Sequence, residues 1–358
     1  MNIKNAFPRI CIAAMLWACA VPLAAEEKPR TGSATPEFRA VWVDAFHAGI
    51  RTPQEADKLV EEAASANFNA LIVQVRRRGD SLYKNSLEPP LREAPYDPEF
   101  DALAYIVEKG HARGLEVHAW VNAMPIWRDP TPPTDANHVY NLHGPDKTGA
   151  ASWLTASPEG VVKFPVGYFL DAGHPDAADY VARVCAKIVR NYKVDGLHLD
   201  YIRYPETTEA LPRGSAVCYN GISLERFRRW AKAPLTIYAP PAVTPPPLGS
   251  APTATAAGSP VASAHLPTVP VIGPVPAPDD PQWIGWRRQQ LTQLVRRIYI
   301  EAKLANPKIK VSAAVIAWGK PPTDEADFEN VSPMQRIFQN WHGWLEEGIL
   351  DMSLPMNY

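Results

Sequence analysis

The sequence predicts an α/β fold, a (β/α)8 barrel of the TIM type, on three observations. Strand-like and helix-like stretches alternate through most of the chain from Phe38 to Tyr358. The strand-like stretches are apolar on both sides, as in Asn69 to Val75 (NALIVQV), the pattern of parallel strands covered by crossover helices. Connections before the strands are short (Asn67-Phe68, Arg113-Gly114, Lys193), whereas those after them are long and rich in Trp, Tyr, Asp, His and Arg. Function loaded onto one rim is how such a barrel builds a site at its C-terminal strand ends. A doubly wound sheet is the alternative, but no glycine-rich phosphate loop follows the first strand.

The first element is a targeting segment. Lys4 and Arg9 precede an uncharged apolar run from Ile10 to Ala25, which reads as a secretory signal peptide. The run is shorter than the ~20 residues of a membrane span and contains Pro22. Ala18-Cys19-Ala20 or Leu23-Ala24-Ala25 would end an ordinary signal. Leu16 to Cys19 offers a loose lipoprotein box, and only a lipid on Cys19 would bring the protein to a membrane. Residues 1–25 are thus expected to be removed, 26–36 to be a flexible segment, and the protein to be exported to the periplasm or beyond. Taking Lys4 and Arg9 from 36 cations leaves 34 against 38 acids, a net −4. That balance excludes a basic surface built for nucleic acid, and 46% hydrophobic residues exclude wholesale disorder. Export permits a disulfide, but Cys185 and Cys218 are no framework, and Cys185 falls in a helical pattern as a buried apolar residue.

The elements then follow in order. Phe38 to Val43 is the first strand, and Pro53 opens a helix to Ala66. After the strand at 69–75, Pro98 starts a helix to Ala112, and Gly114 caps it before the strand Leu115 to Val121. A long loop leads to the helix Asp176 to Tyr192 and the strand Val194 to Leu199. Helices Ser223 to Trp230 and Gln282 to Lys303 flank Ala233 to Pro278, a stretch without Asp, Glu, Lys or Arg. Its proline content marks a flexible insertion of extended character between strands four and five. Ile309 to Ala317 is the fifth strand, Pro333 to Glu346 a helix, and Leu350 to Tyr358 the sixth strand. A closed barrel needs two more strand–helix units, so the chain is expected to be truncated after strand six, with residues 37–358 forming an incomplete barrel.

Every strand end carries polar or aromatic residues. These are Trp42, Asp44 and His47 on the first, Gln74, Arg76 and Asp80 on the second, and His118, Trp120 and Asn122 on the third. The fourth gives His198, Asp200, Tyr201, Arg203 and Tyr204, the fifth Trp318, and the sixth Asn357 and Tyr358. Residues two apart on a strand share a face, which groups His198 with Asp200, Gln74 with Arg76, and His118 with Trp120 and Asn122. One such residue alone reads as a satisfied polar group of a barrel rim; six strand ends in agreement point to a site. Trp42, Trp120 and Trp318 offer flat faces for a sugar ring, although large aromatics usually pack in a core.

Asp200 is the principal catalytic candidate, with His198, Arg203 and Glu206 beside it. A glycosidase needs two carboxyl groups flanking the scissile bond. His198 and Arg203 are expected to keep Asp200 ionised, as a nucleophile or stabilising anion requires. The second carboxyl is open between Glu206, Asp44 and Asp80, or lies beyond the chain. His198 and Asp200 with His118 could instead ligate a divalent cation, but there is no His-x-His at the first strand and no lysine at the fourth. No metal and no cofactor is expected.

Six blocks carry a family resemblance: Phe38 to Val43, Asn69 to Arg76 with Gly79 to Tyr83, Gly114 to Asn122 (GLEVHAWVN), Val194 to Pro205 (VDGLHLDYIRYP), Val311 to Gly319, and Pro355 to Tyr358. Together they resemble the bacterial family-10 glycosyl-hydrolase-like proteins. That family includes a divisome-localised enzyme that cleaves peptide-free peptidoglycan glycan strands. The resemblance implies a (β/α)8 barrel, export and a polysaccharide substrate, with Asp200 essential. It also implies Gln74, Arg76, Asn122, Arg203, Asn357 and Tyr358 as site lining. The chain departs from the family pattern where Tyr201, not a second acid, follows Asp200, and where it stops after the Pro-Met-Asn-Tyr block. Two function classes therefore compete. One is an exported glycoside hydrolase acting on an envelope glycan such as peptidoglycan; the other is a non-catalytic glycan-binding barrel or an inactive fragment of such a hydrolase.

Overall fold

The computed structural model describes residues 37–207, 215–232, 234–238, 268–271 and 273–357. The expectations for residues 1–36, for 239–267 and for Tyr358 fall outside the described residues. In chain order the elements are β1 (Ala40–Val43), α1 (Pro53–Ser65), β2 (Ala70–Arg76), α2 (Ala102–Ala112) and β3 (Glu116–Asn122). Then come β4 (Pro125–Trp127), α3 (Val139–His143), β5 (Lys163–Phe164), β6 (Gly167–Phe169), α4 (Pro175–Asn191) and β7 (Gly196–Asp200). Two helices, α5 (Gly221–Trp230) and α6 (Pro281–Ala305), precede β8 (Lys310–Ile316); α7 (Ser332–Arg336), α8 (Trp341–Glu346) and β9 (Met352–Met356) complete the order.

The six long strands form one parallel sheet in the order β1-β2-β3-β7-β8-β9, an open, curled part of a TIM-type barrel. Its convex face is apolar. Leu71, Val73 and Val75, Val117, Ala119 and Val121, and Val311, Ala313 and Val315 are buried there with residues of the surrounding helices. The alternate residues, on the concave face, include Ile72, Gln74, His118, Trp120, Asn122, His198 and Asp200. Burial of one face fixes the register of each strand, and the register fixes which residues meet inside the barrel.

Local chemistry sets the helix starts. Thr52 accepts from the Glu55 amide at 3.2 Å, with Pro53 in the first turn of α1. Asp280 accepts from the amides of Gln282 and Trp283, again before a proline. Asp101 does the same for α2 by accepting from Ala104. The helix therefore begins at Ala102 and not at the expected Pro98. The expected helix 333–346 is two, because Phe338 takes a left-handed conformation (φ 58°) between α7 and α8.

Part of the long loop before α4 is an antiparallel sheet, β4-β6-β5. The proline-rich stretch is anchored at both ends. Tyr238 donates to Val275 and Ala277 to Thr236, while Val269 and Gly160 pair through their backbones. Flexibility across all of 233–278 is thus corrected: its flanks are paired backbone. Among the described residues, no helix is long and apolar enough to cross a membrane.

Candidate active site

The concave face is layered by register. Nearest the N-terminal strand ends, Ile72 pairs with His118 and His118 with Gly196. The next layer places Gln74, Trp120, His198 and Ser312 side by side. Above it, at the C-terminal mouth, Asn122 pairs with Asp200. Gly196 has a packing reason: a Cβ on it would fall 1.9 Å from Nδ1 of His118.

Asn122 ties the mouth together. Its Oδ1 accepts from Gln74 Nε2 at 3.1 Å and from the Trp120 indole at 2.9 Å, and its Nδ2 donates to the Arg77 carbonyl at 3.1 Å. Gln74 accepts in turn from the Ala45 amide at 3.0 Å, fixing the exit of β1. Trp42, 41% exposed, stands 6.3 Å from the half-buried Trp120 and 5.6 Å from His198 between ring centroids. The two indoles and His198 thus meet on the concave face, one layer below Asp200.

Asp200 is 7% exposed. Its Oδ1 accepts from the Tyr201 amide at 2.6 Å and lies 3.7 Å from Arg203 Nη1, which has no hydrogen-bond partner. Burial drives the carboxyl's pKa up. The opposing pull of the Arg203 guanidinium, the Tyr201 amide and the Trp120 indole does not cancel it, so Asp200 keeps its proton to higher pH than a free aspartate. The pull of the neighbouring cation, expected to favour the ionised form, is thus outweighed by burial. Tyr201, directly after it, is left-handed (φ 48°), a conformation costly for an aromatic residue and concentrated at functional sites. Arg203 stacks on the Tyr201 ring at 4.2 Å.

Asp44, at the exit of β1, has the opposite bias. Partial burial pushes its carboxyl up, but the His47 ring and the amides of Phe46 and His47 outweigh it and hold the group below the usual range. Glu206 is exposed on the loop after β7, Trp318 is half-buried after β8, and Asn357 is exposed beyond β9.

Four assignments are corrected. Arg76 does not share a face with Gln74: a bulge between them pairs Arg76 with Val121, a convex-face residue. Its guanidinium is ion-paired with Glu88, which accepts from Tyr180 of α4, and donates to the carbonyls of Asn122 and Ala123. Tyr204 is buried against Asp171, Cys218 and Phe338 rather than facing the mouth. His118 is fully buried near the foot of the barrel, against Phe38 and 3.1 Å from Glu116. His198 cannot serve as a cation. Burial, and then His118, push it down to about 3, and its Nδ1 meets Ser312 Oγ at 2.9 Å.

Two further residues of this half of the barrel carry no assignment from the sequence. Ser312 is the lone hydroxyl in an otherwise apolar strand run, a signal that alternation could have placed beside His198. Phe46, 39% exposed, lies under the guanidinium groups of Arg77 and Arg78 at 4.8 and 5.1 Å. An exposed aromatic near three consecutive arginines is the readable cue.

The model of the family described as glycosyl hydrolase-like 10 matches residues 37–217 and 269–358. The chain belongs to this family. A relative from Bacillus subtilis (strain 168), glycosyl hydrolase YngK, is 23% identical over 90% of this chain and 54% of its own length. Glycosyl hydrolase DigH of Escherichia coli (strain K12) is 22% identical over 86% of this chain and 58% of its own. The chain thus spans a little over half the length of these curated relatives. Among solved structures, the PgaB (BpsB) glycoside hydrolase domain from Bordetella bronchiseptica superposes with a TM-score of 0.52 at 14% identity. That superposition covers 90% of this chain and 74% of the other, a likeness of fold.

Proposed function

We propose that this chain is the barrel of an exported glycoside hydrolase acting on a cell-envelope polysaccharide, the glycan strands of peptidoglycan. Asp200 is the proton donor and Asp44 the ionised partner. The observation that carries the reading is the opposite bias of two carboxyl groups at C-terminal strand ends, Asp44 just after β1 and Asp200 closing β7. Asp200 is raised by burial, while Asp44 is lowered by hydrogen bonds from His47 and two amides. Glycoside cleavage requires such a division, one group protonated and one charged. Each aspartate stands two residues beyond one of a pair of neighbouring rings, Trp42 and His198. The flat faces of Trp42 and Trp120 suit the apolar side of a pyranose. Membership of the family supports the reaction class, and the basic-then-apolar start of the sequence supports export.

The test is digestion of purified sacculi, with released reducing ends as readout. Asp200→Asn and Asp44→Asn are each expected to lower release by about 10²- to 10³-fold, the scale of removing one preorganised electrostatic group. Undiminished release by both variants refutes the assignment. Binding of sacculi without any release by the parent protein favours the non-catalytic glycan-binding reading. Export is checked by the N-terminus of the protein recovered outside the cytoplasm, expected after residue 20 or 25, or at a lipidated Cys19.

A further inference from the structure

A hollow of about 280 Å³ lies among the loops that leave β2 and β4. Pro90 and Leu91, from the loop after β2, and Pro132 and Pro133, from the loop after β4, border it. The half-buried Trp127 lines it, its indole N–H held by the Thr131 carbonyl at 2.8 Å and its ring set edge-on to His138.

The lining also holds buried polar groups. Arg77 is 5% exposed; its Nη2 bonds Glu93 at 2.7 Å and Asp80 at 3.3 Å, and its Nε has no partner. Buried His138 accepts from the Tyr140 amide through Nδ1, and burial pushes it down to about 4. It is therefore neutral, with its proton on Nε2 near the Arg78 carbonyl. This hollow and the mouth share a wall, since Asn122 donates to the carbonyl of Arg77.

We propose that the hollow is an accessory sugar subsite that holds one uncharged pyranose ring of the chain being cut at the mouth. The inference rests on the glycan-hydrolase reading above. Ligand pockets occupy roughly 300–1,000 Å³, so this one has room for a single ring. Arg77, with no partner on its buried Nε, lines the hollow, Asp80 and Glu93 are acceptors beside it, and Trp127 offers a face for ring C–H groups. The lining sets Asp80, Glu93, Asp129 and Asp135 against Arg77 and Arg92, an excess of acid that disfavours a carboxylate-bearing sugar.

The experiment is calorimetric titration of the full chain carrying Asp200→Asn, which leaves the ligand uncut. The probes are a disaccharide and a hexasaccharide of β-1,4-linked N-acetylglucosamine, and an oligogalacturonate of the longer length. The neutral hexasaccharide should bind about tenfold more tightly than the disaccharide, and the galacturonate should lack that gain. Thr134→Trp, which fills the hollow from an exposed wall position, and Trp127→Ala should each erase the gain. Thr134→Trp removes no buried contact, so it remains informative if Trp127→Ala unfolds. Equal affinity for the two lengths, an equal gain with galacturonate, or a gain that survives Thr134→Trp overturns the subsite. If the parent still releases reducing ends from sacculi, the subsite alone has failed; if neither neutral oligosaccharide binds, the glycan reading falls with it.

Discussion

At the ends of β2 and β7 the barrel places an arginine near a carboxyl group, and the two pairs are built differently. Arg76 has its Nε within 2.9 Å of both oxygens of Glu88, Tyr180 donates to the same carboxylate at 2.6 Å, and backbone carbonyls take the Nη1 hydrogens. Burial weakens the guanidinium's hold on its proton, and Glu88 more than offsets it. At β7 the closest approach of Arg203 to Asp200 is 3.7 Å, outside hydrogen-bond distance, and burial dominates the carboxyl. Both pairs are hidden from water, but only the first has its charges matched by contacts. A closely ion-paired guanidinium holds a loop in place; an under-compensated carboxyl retains the capacity to exchange a proton with a ligand.

The largest expected effect tests the closely paired side. Glu88→Ala leaves the Arg76 guanidinium buried without its counter-ion and should cost about 3–5 kcal/mol of stability in a denaturant melt. A loss below about 1 kcal/mol, the scale of a surface pair, would show that the two strand ends do not differ in this way.

Asp200→Asn tests the other side, and its effect should fall on turnover and not on folding. Removing an under-compensated buried acid leaves the melting temperature unchanged or raised, while activity falls by the two to three orders of magnitude already given. The pH profile follows from the two biases. Asp200 must be protonated, so activity declines as pH rises through its elevated pKa; Asp44 must be ionised, so activity declines as pH falls through its depressed one. A profile whose alkaline limb is unmoved in an Arg203→Gln variant would argue against Asp200 as its source. Loss of that cation should displace the limb to higher pH.

The contrast also explains what could be read from residue order. Two-sided apolar strands and short lower connections give the barrel, and period-two alternation correctly puts Gln74, Trp120, Asn122 and Asp200 on one face. Alternation fails at Arg76 because the bulge lies in VQVRRR, where no glycine or proline announces it. Its partner Glu88 lies in a loop twelve residues on. Tyr204 is claimed by Asp171 and Cys218, contacts that exist only after distant segments meet. The strands β4 to β6 are two or three residues long, too short for any periodic signal. The upward direction of Asp200's shift is hidden in the sequence for a related reason: neighbouring cations are visible there, whereas loss of water around a side chain is a property of the fold.

A smaller effect bears on how β7 is seated. Gly196→Ala would drive a methyl group into the His118 ring, with 1.9 Å between Cβ and Nδ1. Overpacking of this kind costs roughly 1–3 kcal/mol, and the upper end applies where the ring is enclosed. Thermal unfolding measures it. Recovery in the double variant Gly196→Ala, His118→Ala would assign the loss to that contact, and no recovery would place it in the glycine's backbone.

The smallest effect separates the ends of β7 and β2 by pH. His198 is buried neutral and pushed down to about 3, whereas an unfolded histidine titrates near 6.5. Between those values the unfolded chain binds the extra proton, so this contribution to stability is complete above pH 6.5 and shrinks as pH falls. At pH 5 the loss amounts to about 2 kcal/mol, before most carboxylates titrate. His198→Asn should therefore flatten the stability curve between pH 6.5 and 5 relative to the parent. Glu88→Ala should lower the whole curve through the lost ion pair with Arg76. Parallel curves for His198→Asn and the parent would mean that water reaches the imidazole from the mouth, and the burial argument for Asp200, one layer above it, would weaken with it.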